Sequence, residues 1–244
     1  MKGEYTPTGP QSGPNPLIMG NFIHSYFQSK EAHEAFCQQP KAKKDIFKYG
    51  KPEKGMKVAY EVQAASMINA LKKQSLFSLY DAGNEKNKEV IVTGNLYGHL
   101  WKGKIDSLNL DEGYFCDLKT VDDFHKGHWD PEIRQKVSFI EARGYYLQMA
   151  VYQQLIYQQF GKVCQPFIFA VSKQTPPDVM AIDFNSPTDS YLMEQSLQQI
   201  NGDQNHFWHV MMGEEEPKRC GHCEYCRKTQ KLTGFVHASD IEVD

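Results

Sequence analysis

Three segments between residues 89 and 121 read as β-strands: EVIVTGN, LYGHLWKGKIDSLNL and GYFCDLKTV. Successive side chains on a strand point to opposite faces, so each segment offers one apolar face that must be covered. Asp111-Glu112-Gly113 joins the last two as a hairpin. A chain holding this unit must surround it with helices or more strands, and the flanking sequence supplies both. Upstream, Ile18, Phe22, Ile23, Tyr26, Phe27 and Phe36 fall near helical spacing, which predicts a helix followed by a shorter one. A second helical stripe runs over Val62, Ala65, Met67, Ile68 and Leu71, within about residues 58–73. Downstream of a turn at residues 81–87 and the strands, Pro131 opens a long helix, about 132–160, closed by Gly161. CQPFIFAVS and DVMAIDF are further strands, separated by a turn at residues 174–177, and a last helix covers about 189–207. The order describes one mixed α/β domain, α+β with a mixed sheet, and a small C-terminal appendix.

We divide the chain into a flexible lead-in at 1–17, rich in Gly, Pro, Ser and Thr, a domain at 18–210, and a cysteine-bearing tail at 211–244. Hydrophobic residues make up 40% and charged residues 23% of the 244, which excludes a disordered or collagen-like chain. No apolar run approaches the roughly 20 residues of a membrane span, and the N-terminus has no apolar signal core. No membrane partner and a cytoplasmic location are therefore expected. The 27 Lys and Arg against 30 Asp and Glu give a net charge of −3, which argues against gripping nucleic acid by bulk charge. A local basic strip remains available: residues 41–57 hold seven lysines against Asp45 and Glu53. It reads either as a solvated loop or as a phosphate-facing surface.

The chemistry lies in the hairpin. Asp117 and Lys119 share one strand face while Leu118 points the other way, into the core. Asp106, ending the preceding strand, would meet them across the hairpin. Two carboxylates that close need a cation between them, and hard oxygen ligands favour Mg²⁺ or Mn²⁺. A lysine beside them can orient or deprotonate a water while the metal stabilises phosphoryl charge. Glu89 starts the neighbouring strand and can add a carboxylate at the same sheet end. Gln148 and Tyr152 lie four apart on the long helix and present one face. They read as core-edge hydrogen bonders or as contacts to a nucleic-acid phosphate. His24, four residues after Gly20 at a helix start, is a candidate ligand, with a structural histidine as the ordinary alternative.

As a set, Gly20-x3-His24, Glu89, Asp106, Asp117-Leu-Lys119 and Gln148-x3-Tyr152 resemble the RecB-like branch of the PD-(D/E)xK nucleases. Within it, GKIDSLNLDEGYFCDLKTV and GYYLQMAVY are most similar to phage and prophage exonucleases of the RecE type. The resemblance implies a restriction-endonuclease-like core and a metal-dependent exonuclease that degrades one strand of linear duplex DNA from its 5′ end in phage-type recombination. It implies metal at His24, Asp106 and Asp117, water handling by Lys119 with Glu89 in support, and nucleic-acid contacts by Gln148 and Tyr152. A ring-shaped homo-oligomer and a single-strand annealing protein as partner follow only by analogy. Asp117 stands where many relatives carry Glu, which touches the fine metal geometry and not the chemistry. An endonuclease of the same fold and an idle DNA-binding module are the competing readings.

Cys220, Cys223 and Cys226 are spaced by two residues each, so their thiolates can turn toward one soft metal. Zinc wants four ligands, which His209, His222 or His237 could complete. Some RecB-like nucleases hold an iron–sulfur cluster on three such cysteines and one near the N-terminus, but here no cysteine precedes His24. Three idle thiols are the alternative. Cys116 and Cys164 read as buried small hydrophobes. Gly98-x4-Gly103-Lys104 fits a phosphate-binding loop only superficially, since Ile105 stands where Ser or Thr must bind Mg²⁺.

Overall fold

A computed structural model describes residues 14–81, 87–130, 133–221 and 223–240. Most of the lead-in, the centre of the turn at 81–87, Pro131, Glu132 and His222 lie outside the described residues. Gln11–Gly202 forms one compact unit, and Asp203–Asp244 belongs to a second.

The first unit is built on a five-stranded sheet in the order β1-β2-β3-β6-β7. Its strands are β1 (Lys88–Leu96), β2 (His99–Asn109), β3 (Tyr114–Val121), β6 (Gln165–Ser172) and β7 (Val179–Asp183). All neighbours are antiparallel except β3 and β6, which run parallel. A parallel pair needs a crossover, and α6 (Phe139–Ala142) with α7 (Tyr145–Phe160) provides it. A separate pair, β4 (His128–Asp130) and β5 (Gln135–Val137), lies on the same connection.

Side-chain alternation sorts the sheet into two packed faces. Tyr114, Cys116 and Leu118 of β3 and Phe169 and Val171 of β6 pack with α1 (Pro16–Gln28), α2 (Lys30–Gln38), α3 (Pro40–Ile46), α4 (Ala65–Lys72) and α5 (Ser75–Asp81). Phe115, Ile168 and Ala170 point the other way, with Val92, Ile105 and Leu108, onto Met149, Leu155 and Ile156 of α7. The result is a helix–sheet–helix sandwich with β3 and β6 at its centre. Among the described residues no helix is long and apolar enough to cross a membrane.

The structure departs from several local expectations. The long helix does not run from residue 132. Ser138 caps α6 in a capping box with Glu141, and left-handed Gly144 separates α6 from α7. The second strand is interrupted at Tyr97 and Gly98, both at positive φ, which turn the chain between β1 and β2. This places the phosphate-loop lookalike in a hairpin. Helix α1 starts at Pro16, capped by Asn15, so His24 sits in its second half and not at its start. The lysine-rich stretch is α3 followed by short 3₁₀ turns, and the last helix, α8, extends over Pro187–Met212.

In the second unit, Cys223 caps α9 (Glu224–Lys228) with its side chain. His206 pairs with Glu215 at 2.6 Å and His209 with Glu214 at 2.5 Å.

Candidate active site

Pairing between β2 and β3 is short. It covers Asn109↔Tyr114, Leu108↔Phe115 and Ser107↔Cys116 and then stops. Asp106 is therefore inside β2, not at its end, and marks where the two strands part. Its Oδ2 accepts the Leu118 backbone N–H at 2.8 Å, replacing the backbone acceptor that a continued ladder would supply. The parting opens a cleft of about 520 Å³ lined by His24, Glu89, Lys104, Asp106, Asp117, Lys119, Gln148 and Tyr152, among others. The seven residues singled out around the hairpin thus share one cleft.

They arrive from five elements: His24 from α1, Glu89 from β1, Asp106 from β2, Asp117 and Lys119 from β3, and Gln148 and Tyr152 from α7. His24 Nδ1 lies 3.2 Å from Asp106 Oδ2. Lys119 Nζ lies 2.5 Å from Asp117 Oδ2. Gln148 Nε2 donates to Asp117 Oδ1 at 2.8 Å and to the Tyr152 hydroxyl at 3.1 Å. Gln148 is thus engaged in holding the carboxylate, whatever else it touches. Glu89 pairs with Lys104, and the register of its neighbours places it opposite Asp106. Its φ of 54° is left-handed, a conformation rare for a side chain of this size.

Charge in the cleft is held in opposed pairs. Burial works against ionising Asp106, but the His24 ring, the Leu118 N–H and the Lys119 ammonium hold its pKa below the ordinary carboxylate value. Burial lowers the His24 pKa, and Asp106 outweighs it, leaving the ring above its usual value. Asp117 is pushed up to about 6 by burial and then by the Asp106 charge, against the pull of Lys119. Burial also opposes the Lys119 charge, yet Asp117 holds the ammonium above its usual pKa. A lysine so held is a donor and a charge, not a base.

Asp117 Oδ2 is buried, and the Lys119 ammonium at 2.5 Å is the one partner it has among the described residues. A buried carboxylate oxygen left in this state suits a cation. Asp106 and Asp117 offer the hard oxygen donors that suit Mg²⁺ or Mn²⁺, and His24 adds a softer nitrogen donor beside them. They are looser than a closed site: among the described residues, only Cys220, Cys223 and Cys226 bring three ligand atoms within 4.8 Å of one another.

The sequence reading missed much of the cleft wall. Beside His24, Asn21, Ser25 and Gln28 of α1 line it, as do Ala32, Ala35, Phe36 and Gln39 at the same spacing on α2 and just beyond it. A polar stripe at i, i+3, i+4 and i+7 on an otherwise apolar helix was the available signal. Tyr145, three residues before Gln148, sets its ring centroid 4.7 Å from Lys119 Nζ.

Comparison with known proteins identifies the family and the fold. Residues 1–229 match the family described as a PDDEXK-like domain of unknown function (DUF3799). The chain belongs to that family. It is thereby a member of the PD-(D/E)xK nuclease superfamily, with that fold. Among solved structures it is similar to a Eubacterium rectale protein described as "Putative exonuclease", at 28% identity and a TM-score of 0.75, over 95% of this chain and 80% of that one. A second solved chain, 13% identical with a TM-score of 0.31 over 89% of this chain and 85% of that one, is too distant to carry any argument. No curated protein matches the chain.

The cysteine group has its own local structure. Cys220 Sγ and Cys226 Sγ are 3.8 Å apart, and the Cys223 and Cys226 amides point at Cys220 Sγ and Cys223 Sγ at 3.3 and 3.4 Å. The Cys226 N–H directed at Cys223 Sγ favours the thiolate, but the neighbouring Cys220 and Cys226 thiols outweigh it and leave the Cys223 pKa above its ordinary value. Cys226 is buried, while Cys220 and Cys223 are exposed. Cys116 and Cys164 are buried core residues.

Proposed function

We infer that the chain is a divalent-metal-dependent deoxyribonuclease that digests one strand of linear duplex DNA from its 5′ end, with residues 18–210 as the nuclease domain. The observation that carries this reading is the buried Asp117 carboxylate, its Oδ2 held by the charged Lys119 at 2.5 Å, facing Asp106 and His24 in an open cleft. The family membership and the exonuclease description of the E. rectale relative support it.

Asp106, Asp117 and His24 would hold the metal, Mg²⁺ or Mn²⁺. The ion, when bound, supplies Lewis-acid stabilisation of charge on the phosphoryl oxygens. Lys119 orients the attacking water through its ammonium protons and stabilises charge developing at the phosphate. Gln148 fixes the Asp117 carboxylate, and Tyr152 with Gln148 faces the bound strand. Glu89 restrains Lys104 at the rim of the cleft. The partners of such an enzyme are duplex ends. An annealing protein, a ring-shaped oligomer, a role in phage-type recombination and a cytoplasmic location extend the same reading by analogy. The C-terminal thiolates would hold a second, structural metal as zinc or an iron–sulfur cluster.

The test is digestion of end-labelled linear duplex DNA with Mg²⁺, with chelator and with Asp117→Ala, beside closed circular DNA. The expected result is Mg²⁺-dependent loss of 5′ label, absent on circles and in the variant. Cleavage of circles would replace the reading by an endonuclease. Silence on both substrates would leave a DNA-binding module.

A further inference from the structure

We propose that residues 41–57 form a rigid ledge that docks the phosphate backbone of DNA beside the cleft. The surface rests on the reading of the chain as a DNA nuclease and names where the duplex outside the cleft is held.

The ledge begins next to the site. Gln39 lines the cleft, and Pro40 opens α3. Ala42, Ile46 and Phe47 are buried in the core and fix the base. From there the chain makes an excursion that the connection does not need. The Lys57 N–H donates to the Ile46 carbonyl at 2.8 Å and the Lys48 N–H to the Gly55 carbonyl at 3.0 Å, around a Phe47↔Met56 bridge. The two ends of residues 47–56 therefore meet, and a two-residue turn would join them equally well. Compact excursions with closed ends are often functional.

What the excursion carries is charge and one aromatic ring. Lys41, Lys44, Lys48, Lys51 and Lys54 are exposed. Among the described residues none of the seven lysines of this stretch pairs with a carboxylate. Of its two acids, Asp45 is turned inward, accepting from the Tyr60 hydroxyl and from the Asn15 N–H at 3.1 Å. Tyr49, in the first 3₁₀ turn of the excursion, stands 89% exposed with a left-handed φ of 58°. Backbone strain spent on presenting an aromatic ring to solvent, between unpaired lysines, fits a nucleic-acid strand whose phosphates meet the ammonium groups and whose bases or sugars meet the ring.

The test is anisotropy titration of a labelled duplex in chelator, where nothing is cut, from about 50 to 200 mM salt. One variant combines Lys44→Gln, Lys48→Gln, Lys51→Gln and Lys54→Gln. A second replaces residues 49–54 by Asn-Gly. Lys72→Gln with Lys73→Gln is the reference. Both ledge variants should keep their melting midpoints and bind at least about tenfold more weakly. The lysine variant should flatten the salt slope by about 0.9 for each phosphate that it no longer neutralises. Unchanged affinity and slope, an equal loss in the reference, or no duplex binding by the unaltered chain would overturn the proposal. Ledge-dependent binding without cleavage under Mg²⁺ would sink the nuclease reading alone. Cleavage with ledge-independent affinity would sink the ledge alone.

Discussion

Asp106 closes the gap between two diverging strands by accepting the backbone N–H of Leu118 at 2.8 Å, while the same oxygen lies 3.2 Å from His24 Nδ1. One carboxylate therefore serves the fold and the site together. The two duties separate by substitution. Asp106→Asn keeps an acceptor for Leu118 and loses the charge. Asp106→Ala leaves a buried N–H unpaired, at a cost of about 1–3 kcal/mol. Both variants should lose DNA cleavage, and only the alanine variant should show a clearly lower denaturation midpoint. Equal stability of the two would mean that the Leu118 bond is dispensable.

Proton and metal compete for the same groups. Asp117, raised to about 6 by burial and the Asp106 charge, takes up a proton as pH falls through that value. His24, raised by Asp106, keeps its proton to higher pH than a free imidazole and must release it to become a ligand. Both signs run the same way. Affinity for Mn²⁺ should rise with pH between about 5 and 8, with protons released on binding. Calorimetry in buffers of different ionisation enthalpy reads this directly. A pH-independent affinity would remove these two residues from the ligand set.

Gly103 lies under the Tyr152 ring. A Cβ at that position would come within 2.9 Å of Tyr152 Cε1 and 3.2 Å of Val92 Cγ2. Gly103→Ala should destabilise by about 1–3 kcal/mol through overpacking and displace the Tyr152 hydroxyl from Gln148. Weaker DNA binding with Mn²⁺ affinity retained would mark Tyr152 as a strand contact. Loss of both would mark it as support for Asp117 through Gln148.

The C-terminal thiolates should carry metal when the protein is isolated without chelator and under exclusion of oxygen. Elemental analysis distinguishes zinc from iron, and visible absorbance reports a cluster. Cys223→Ser should release the metal and lower protease resistance of residues 213–240 without altering the sheet. Metal-free protein with unchanged protease resistance would leave three ordinary thiols.

Local pattern carried a large part of this molecule. Alternation along GYFCDLKTV places Leu118 in one core and Asp117 with Lys119 on the opposite face, as expected. Four-residue spacing on α7 aligns Gln148 with Tyr152. The sequence places the start of this helix too early because Pro131 reads as a first helical residue. Only the Ser138–Glu141 capping box and the left-handed Gly144 mark where helix begins and breaks. The excursion at residues 47–56 was illegible for another reason. Its closure depends on a bridge between two residues whose pairing no local propensity encodes.

The sequence by itself determined which groups are present and which face of its own strand or helix each takes, because those follow from the period of the backbone. It also carried the family resemblance. The tertiary structure decided that β2 and β3 part after Ser107↔Cys116, that α1 delivers His24 to Asp106, and that the crossover through α7 lays Gln148 on Asp117. These relations are set by long-range packing of two cores on one sheet, which fixes distances that residue spacing leaves free.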